Sequence, residues 1–199
     1  METTESILEF WFGANPDNGI VAQERAKLWW AKNPAVDDET HLRFETYVIK
    51  AANGELSDWQ STPRARLALI LLTDQFPRNI YRGTANAFAF DAKSLAWSLD
   101  GIVKGFDLRL RPIEKTFFYL PLEHSESLTH QERSVELFAT LARSVAESHR
   151  APFDEYLIFA QRHRDVIKRF RRFPHRNEIL GRESTTEESA FLKEPGSSF

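Results

Sequence analysis

Thr62-Pro63-Arg64-Ala65-Arg66-Leu67-Ala68-Leu69-Ile70-Leu71-Leu72-Thr73-Asp74-Gln75-Phe76-Pro77-Arg78-Asn79 is the stretch on which the fold turns. Thr62 before Pro63 has the form of an N-cap followed by proline at the first helical position, where a missing N–H costs nothing. Ala65 and Leu67 through Leu72 then place apolar groups on every side of a helix. A helix of that kind belongs at the centre of a structure with other helices around it. Pro77 disfavours helical geometry at Phe76, so the helix is expected to stop there.

Outward from this centre the chain reads as further helices joined by short turns. Ser6 to Phe12 forms a short helix closed by Gly13, and a second helix carries Trp29 and Trp30. Asp37 and Asp38 suit a cap and first turn ahead of Leu42, Phe44, Tyr47, Val48 and Ala51, with Gly54 closing the helix in a left-handed turn. Asp91 is expected to cap a helix that buries Leu95, Ala96, Leu99 and Val103. Glu114 to Leu122 is strongly aromatic. Thr129 to Glu132 and Ser184 to Glu187 each have the spacing of a capping box. Between them, Tyr156, Phe159, Ala160, His163, Val166, Ile167 and Phe170 form one helical stripe.

No stretch alternates as a strand does, so the pattern predicts an all-α fold of about eight to ten helices. They are expected to pack as an array of antiparallel helix pairs rather than as a four-helix bundle. One helical domain over 1–193 is expected, followed by a loose tail over 194–199.

Composition narrows the function classes. The chain has 199 residues, 42% hydrophobic and 13% aromatic, enough for a real core. The formal net charge of -3 offers no broad basic field for nucleic acid or an anionic membrane. With no cysteine there is neither a disulfide scaffold nor a thiolate nucleophile. The acidic start, Met1-Glu2-Thr3-Thr4-Glu5, lacks the features of a signal peptide, and a cytoplasmic location is expected.

Two stretches share a phrase. Phe76-Pro77-Arg78-Asn79 runs on to Gly83, and Phe173-Pro174-His175-Arg176-Asn177 runs on to Gly181. Each is expected to end a helix, with Arg and Asn facing freed carbonyl groups. Other polar residues fall where the pattern asks for apolar ones. Asp74 extends the apolar face of the central helix and needs a partner, for which Arg78 is four residues on. His163 sits inside the stripe Tyr156 to Phe170. Glu123-His124-Ser125-Glu126 places two carboxylates beside a histidine.

A phosphate loop, a nucleophile elbow and the His-Glu-x-x-His zinc signature are all missing. A mixed metal site from Asp74, Glu123, His124 and His163 is chemically conceivable, but no spacing selects it. No metal and no cofactor is expected.

Leu71 to Thr84, Phe118 to Glu126 and Phe173 to Thr185, with Phe10-Trp11-Phe12-Gly13, together resemble the bacterial family called domain of unknown function 924. The likeness extends over nearly the whole chain. It implies a helical fold similar to the tetratricopeptide superfamily, and it implies no activity.

Three functions stay open on these residues. The first is a binding protein in which Arg78 and Arg176 clamp the carboxylate or phosphate of a small anionic ligand or peptide, with Asn79, His175 and Asn177 beside them. The second is a hydrolase or lyase using His124 or His163 with Asp74 or Glu123 as an acid/base pair. The third is an interaction scaffold in which the polar cluster only fixes helix ends, and exposed Trp29, Trp30 or Trp59 meets a protein partner or a second copy of the chain.

Overall fold

A computed structural model describes residues 1–197. The architecture is all-α, with no strand among the described residues, and its packed helices are compatible with the tetratricopeptide-like superfamily. In chain order the helices are α1 (Thr4–Phe12), α2 (Asn18–Trp30), α3 (Pro34–Asn53), α4 (Pro63–Ile70), α5 (Phe76–Ile80), α6 (Asp91–Val103), α7 (Pro112–Glu123), α8 (Leu128–Ser144), α9 (Ala151–Phe170) and α10 (Thr186–Phe191). Of the expected tail, Glu194 to Ser197 turn back on the chain, with Ser197 Oγ donating to the Leu192 carbonyl at 3.1 Å. Residues 198 and 199 lie outside the described residues.

The central helix starts as its sequence dictates, with the Thr62 side chain accepting from the Ala65 N–H and Pro63 in the first turn. It does not stop at Phe76. Leu71–Gln75 widens into a π turn, in which the Phe76 N–H reaches back to the Leu71 carbonyl, and α5 follows without a break. The reason is steric. In an ordinary α-helix the ring of Pro77 would strike the carbonyl one turn earlier, and a π turn opens that spacing. Phe76 therefore keeps right-handed helical angles, φ -63° and ψ -38°. The extra residue also rotates the helix, so that Thr73, Asp74 and Gln75 are all buried.

The second phrase differs from the first. α9 has already ended at Phe170 through Arg171, which takes a left-handed φ of 63°, before Pro174–Arg176 forms a short 3-10 turn. The two phrases are thus not one helix-ending device used twice. They share only the closing glycines, Gly83 and Gly181, both at positive φ.

Other expectations move by a residue or more. Asn33 caps α3, and Asp37 lies in its first turn. Asp91 is the first residue of α6, not its cap. The α8 box at Thr129 does not form, because the helix already starts at Leu128, whereas the α10 box does form one residue later, between Thr185 and Glu188. The inner face of α6 is small rather than apolar: Ser94, Ser98 and Gly101 are buried, while Ala96 and Val103 are exposed. Close approach to α7 is the cause, and Ser98 Oγ donates to the Phe118 carbonyl at 2.5 Å. Arg66 of α4 is only 2% exposed and pairs with Asp100 of α6.

The main core gathers Trp11, Phe44, Phe76, Phe117 and Phe118 with the apolar faces of α4, α8 and the first half of α9. A smaller core of Val166, Ile167 and Phe173 lies under the C-terminal segment. His163 falls between Ala160 of the first core and Val166 of the second, so a polar seam runs where the two meet. Of the three tryptophans expected at the surface, Trp30 is exposed. Trp29 is buried and donates to the Trp11 carbonyl at 3.0 Å, Trp59 is half-buried, and exposed Trp30 stacks on Phe117. Among the described residues no helix is long and apolar enough to cross a membrane.

Candidate functional site

The seam is built from four segments. The π turn supplies Asp74 and Gln75, α5 supplies Arg78, the end of α7 supplies Glu123 and His124, and α9 with the turn after it supplies His163, His175 and Arg176. The end of α7 is held from below. Gln131, fully buried on α8, donates its amide to the carbonyls of Glu123 at 2.5 Å and Ser125 at 2.7 Å. These are carbonyls that a helix end leaves unpaired.

Asp74 and His124 meet although fifty residues separate them: Asp74 Oδ1 lies 2.8 Å from His124 Nδ1. Asp74 Oδ2 accepts from the Gln75 amide at 2.6 Å, and Arg78 Nη1 stands 3.6 Å from Oδ1. Burial alone would raise this carboxyl. The His124 ring, the Arg78 charge and the Gln75 amide together outweigh burial and hold it well below the usual carboxylate range. The histidine moves the other way for its charged form. Burial, followed by the Arg78 charge, pushes His124 below its ordinary value, so the pair consists of a carboxylate and a neutral imidazole.

Arg78 and Arg176 do converge on an anion, and it is the chain's own Asp91. Arg78 grips Asp91 in a fork, Nη1 to Oδ1 at 2.9 Å and Nη2 to Oδ2 at 3.0 Å, and also donates to the Asp74 carbonyl at 2.6 Å. Arg176 reaches Asp91 only at 3.5 Å and the His124 carbonyl at 3.1 Å. Its guanidinium lies over the rings of Phe88 at 4.7 Å and Phe173 at 4.4 Å, and its buried Nε has no hydrogen-bond partner among the described residues. Burial and the neighbouring Arg78 push Arg176 down to about 10.

A second His/carboxylate contact lies beside the first. His163 Nδ1 is 3.1 Å from Glu123 Oε1 and 2.9 Å from the Phe159 carbonyl. A carbonyl only accepts, so Nδ1 carries the proton. Burial raises Glu123 to about 8, helped by the Asp74 charge, and burial keeps His163 well below its ordinary value. The contact therefore joins two neutral groups and is no ion pair at neutral pH. The His124 and His163 rings are 6.4 Å apart. His175 is held down to about 4, chiefly by burial and then by Arg176.

Some candidates point elsewhere. Asn79 donates to Asp37 of α3 at 2.8 Å, and Asn177 donates to Ser184 at 3.0 Å, so the two asparagines brace separate segments. Among the described residues no group of three or more His, Asp or Glu side chains is arranged to hold a metal ion. Asp91, Phe88 and Gln131 were missed by sequence reasoning. Asp91 carried a signal, since a helix-start carboxylate also suits pairing; Gln131 bonds carbonyls only six to nine residues back, but across the turn between α7 and α8, and the Arg176 partner of Phe88 lies far along the chain.

Two surface clefts lie away from the seam, at the N-terminal end of the fold. One of about 320 Å³ is lined by Phe10, Arg25 and Arg43, and one of about 280 Å³ by Phe12, Arg64 and Glu114.

The family model described as bacterial protein of unknown function (DUF924) matches residues 7–196. The chain belongs to this family. A solved structure titled as a protein of unknown function, ATU0120, from Agrobacterium tumefaciens is 37% identical, with 96% of each chain covered and a TM-score of 0.81. No curated protein matches the chain. The three segments that carry the resemblance to DUF924 hold Asp74, Arg78, Glu123, His124, His175 and Arg176.

Proposed function

We propose that this DUF924 protein binds a small anionic ligand, a carboxylate or a phosphate, at the Arg176 end of the polar seam. The observation that carries the reading is the state of Arg176. It is 6% exposed, yet its one carboxylate contact is long and its Nε is unpaired. A buried guanidinium with donors to spare is costly, and an anion that accepts from it in a fork removes that cost. Arg78 is satisfied by Asp91, so the ligand is held by one arginine rather than by a clamp of two.

Thermal unfolding of the full chain with millimolar succinate and with inorganic phosphate tests this. The melting temperature should rise with one or both, and Arg176→Lys should keep the fold and lose most of the rise, because an ammonium has no planar fork. If neither anion stabilises the wild type, or if Arg176→Lys responds as the wild type does, the reading fails. The scaffold alternative rests on Asp91, which grips Arg78 and lies 3.5 Å from Arg176, and it predicts the same indifference to anions.

A further inference from the structure

Asp74 fixes the chemistry of His124. An ionised carboxylate can only accept, so the 2.8 Å contact requires a proton on His124 Nδ1. Burial and the Arg78 charge favour the neutral ring, and in the neutral ring the other nitrogen, Nε2, is a lone-pair acceptor. None of the described residues donates to it, and the His124 side chain is 13% exposed while Asp74 is fully buried. His124 adjoins the anion site, since Arg176 Nη1 bonds its backbone carbonyl at 3.1 Å. A donor brought to Nε2 also enters positive surroundings, with Arg78 Nη1 3.6 Å from Asp74 Oδ1 and Arg176 Nη1 3.1 Å from the His124 carbonyl. An ammonium is disfavoured there, and a neutral hydroxyl is not.

We infer that His124 Nε2 accepts a hydrogen bond from a hydroxyl group of the bound anion, so that the ligand is a small hydroxy acid rather than a plain carboxylate. This rests on the anion-site reading and adds its specificity. Asp74 acts as a positioning residue: it holds the imidazole in the tautomer that offers the lone pair outward. A site whose acceptor is left unpaired by the wrong ligand rejects that ligand, which is how a single hydroxyl gives selectivity.

Malate and succinate differ by one hydroxyl and serve as probes. Calorimetric titration of the full chain should find malate bound about fivefold tighter than succinate, the worth of one neutral hydrogen bond. In nitrogen-15 spectra of the imidazoles, His124 should show a protonated Nδ1 and a bare Nε2, and malate but not succinate should shift Nε2. His124→Gln should lose the preference, read as the ratio of malate to succinate affinity within the variant. Asp74→Asn should mix the two tautomers and reduce the preference, a change that loss of stability alone does not produce. Equal binding of the two acids with an unmoved Nε2 signal overturns the inference and leaves the anion site standing. Binding of neither acid overturns both.

Discussion

Asp91, the first residue of α6, receives both terminal nitrogens of Arg78 at 2.9 and 3.0 Å and draws Arg176 to within 3.5 Å. One carboxylate thus ties α6 to α5 and to the turn after α9. Asp91→Asn keeps the shape, removes the charge and turns an amide N–H toward one of the arginines. Removing one partner of a fully buried pair costs about 3 to 5 kcal/mol. Asp91 is 23% exposed, so solvent screening lowers the expectation to about 2 kcal/mol. Urea unfolding midpoints of the two proteins measure it, and an unchanged midpoint would show that the arginines need no internal counter-charge.

Glu123 has the opposite character to Asp74, and its pH dependence carries the signature. Burial and the Asp74 charge raise it from an ordinary value near 4.5 to about 8. Between these values the unfolded chain has released the proton and the folded chain keeps it. Stability from this group is therefore full below about 4.5 and is lost as pH rises towards 8, at no more than about 1.4 kcal/mol per pH unit. Glu123→Gln has no proton to lose. Relative to the wild type, the variant should gain stability steadily from pH 5 to pH 8. A constant difference across that range would mean that Glu123 is ionised in the fold.

His175 produces a slope in acid. Burial and the Arg176 charge lower it from about 6.5 to about 4. In the unfolded chain it takes up a proton near 6.5 and in the folded chain only near 4, so its contribution is present above 6.5 and is lost as pH falls. Replacing it with Gln should remove up to about 1.4 kcal/mol per pH unit from the acid slope in this window. Urea midpoints at pH 7, 6 and 5 test this, and parallel slopes for the two proteins would contradict it.

Much of this fold was legible because helix signals are local. Thr62-Pro63 and Gly54 act through neighbours within one turn, and both did what their residue types require. Pro77 misled for the same local reason. Its effect on Phe76 is real for an α-helix, but the π turn over Leu71–Gln75 opens the spacing that its ring needs and carries the chain on into α5. The α6 face misled because apolar spacing says nothing of how closely two helices approach. In the seam, Asp74, His124, Glu123, His163 and Arg176 stood out as polar groups in apolar surroundings, and the structure brings them together. Which carboxylate took which partner was not readable. Asp91 took the anion's place on Arg78, because pairing across thirteen residues depends on tertiary geometry.

Gly101 sets the approach of α6 to α7, and two opposing effects decide what a methyl group would do there. In mid-helix, alanine is favoured over glycine by about 1 kcal/mol. A Cβ on Gly101 would stand 2.5 Å from Phe118 Cζ, 3.0 Å from Phe118 Cε1 and 3.2 Å from Arg66 Cδ. Phe118 is fully buried and its backbone carbonyl is tied to Ser98 Oγ at 2.5 Å, so neither the ring nor α7 can give way freely. Overpacking of this kind costs about 1 to 3 kcal/mol, and a ring contact this short belongs at the upper end. The clash should therefore win, leaving Gly101→Ala less stable by about 1 to 2 kcal/mol. Val103, two positions on and 86% exposed, provides the control, since Val103→Ala on the same helix should change little. If Gly101→Ala proves as stable as the wild type or more so, α6 and α7 are free to separate at this contact.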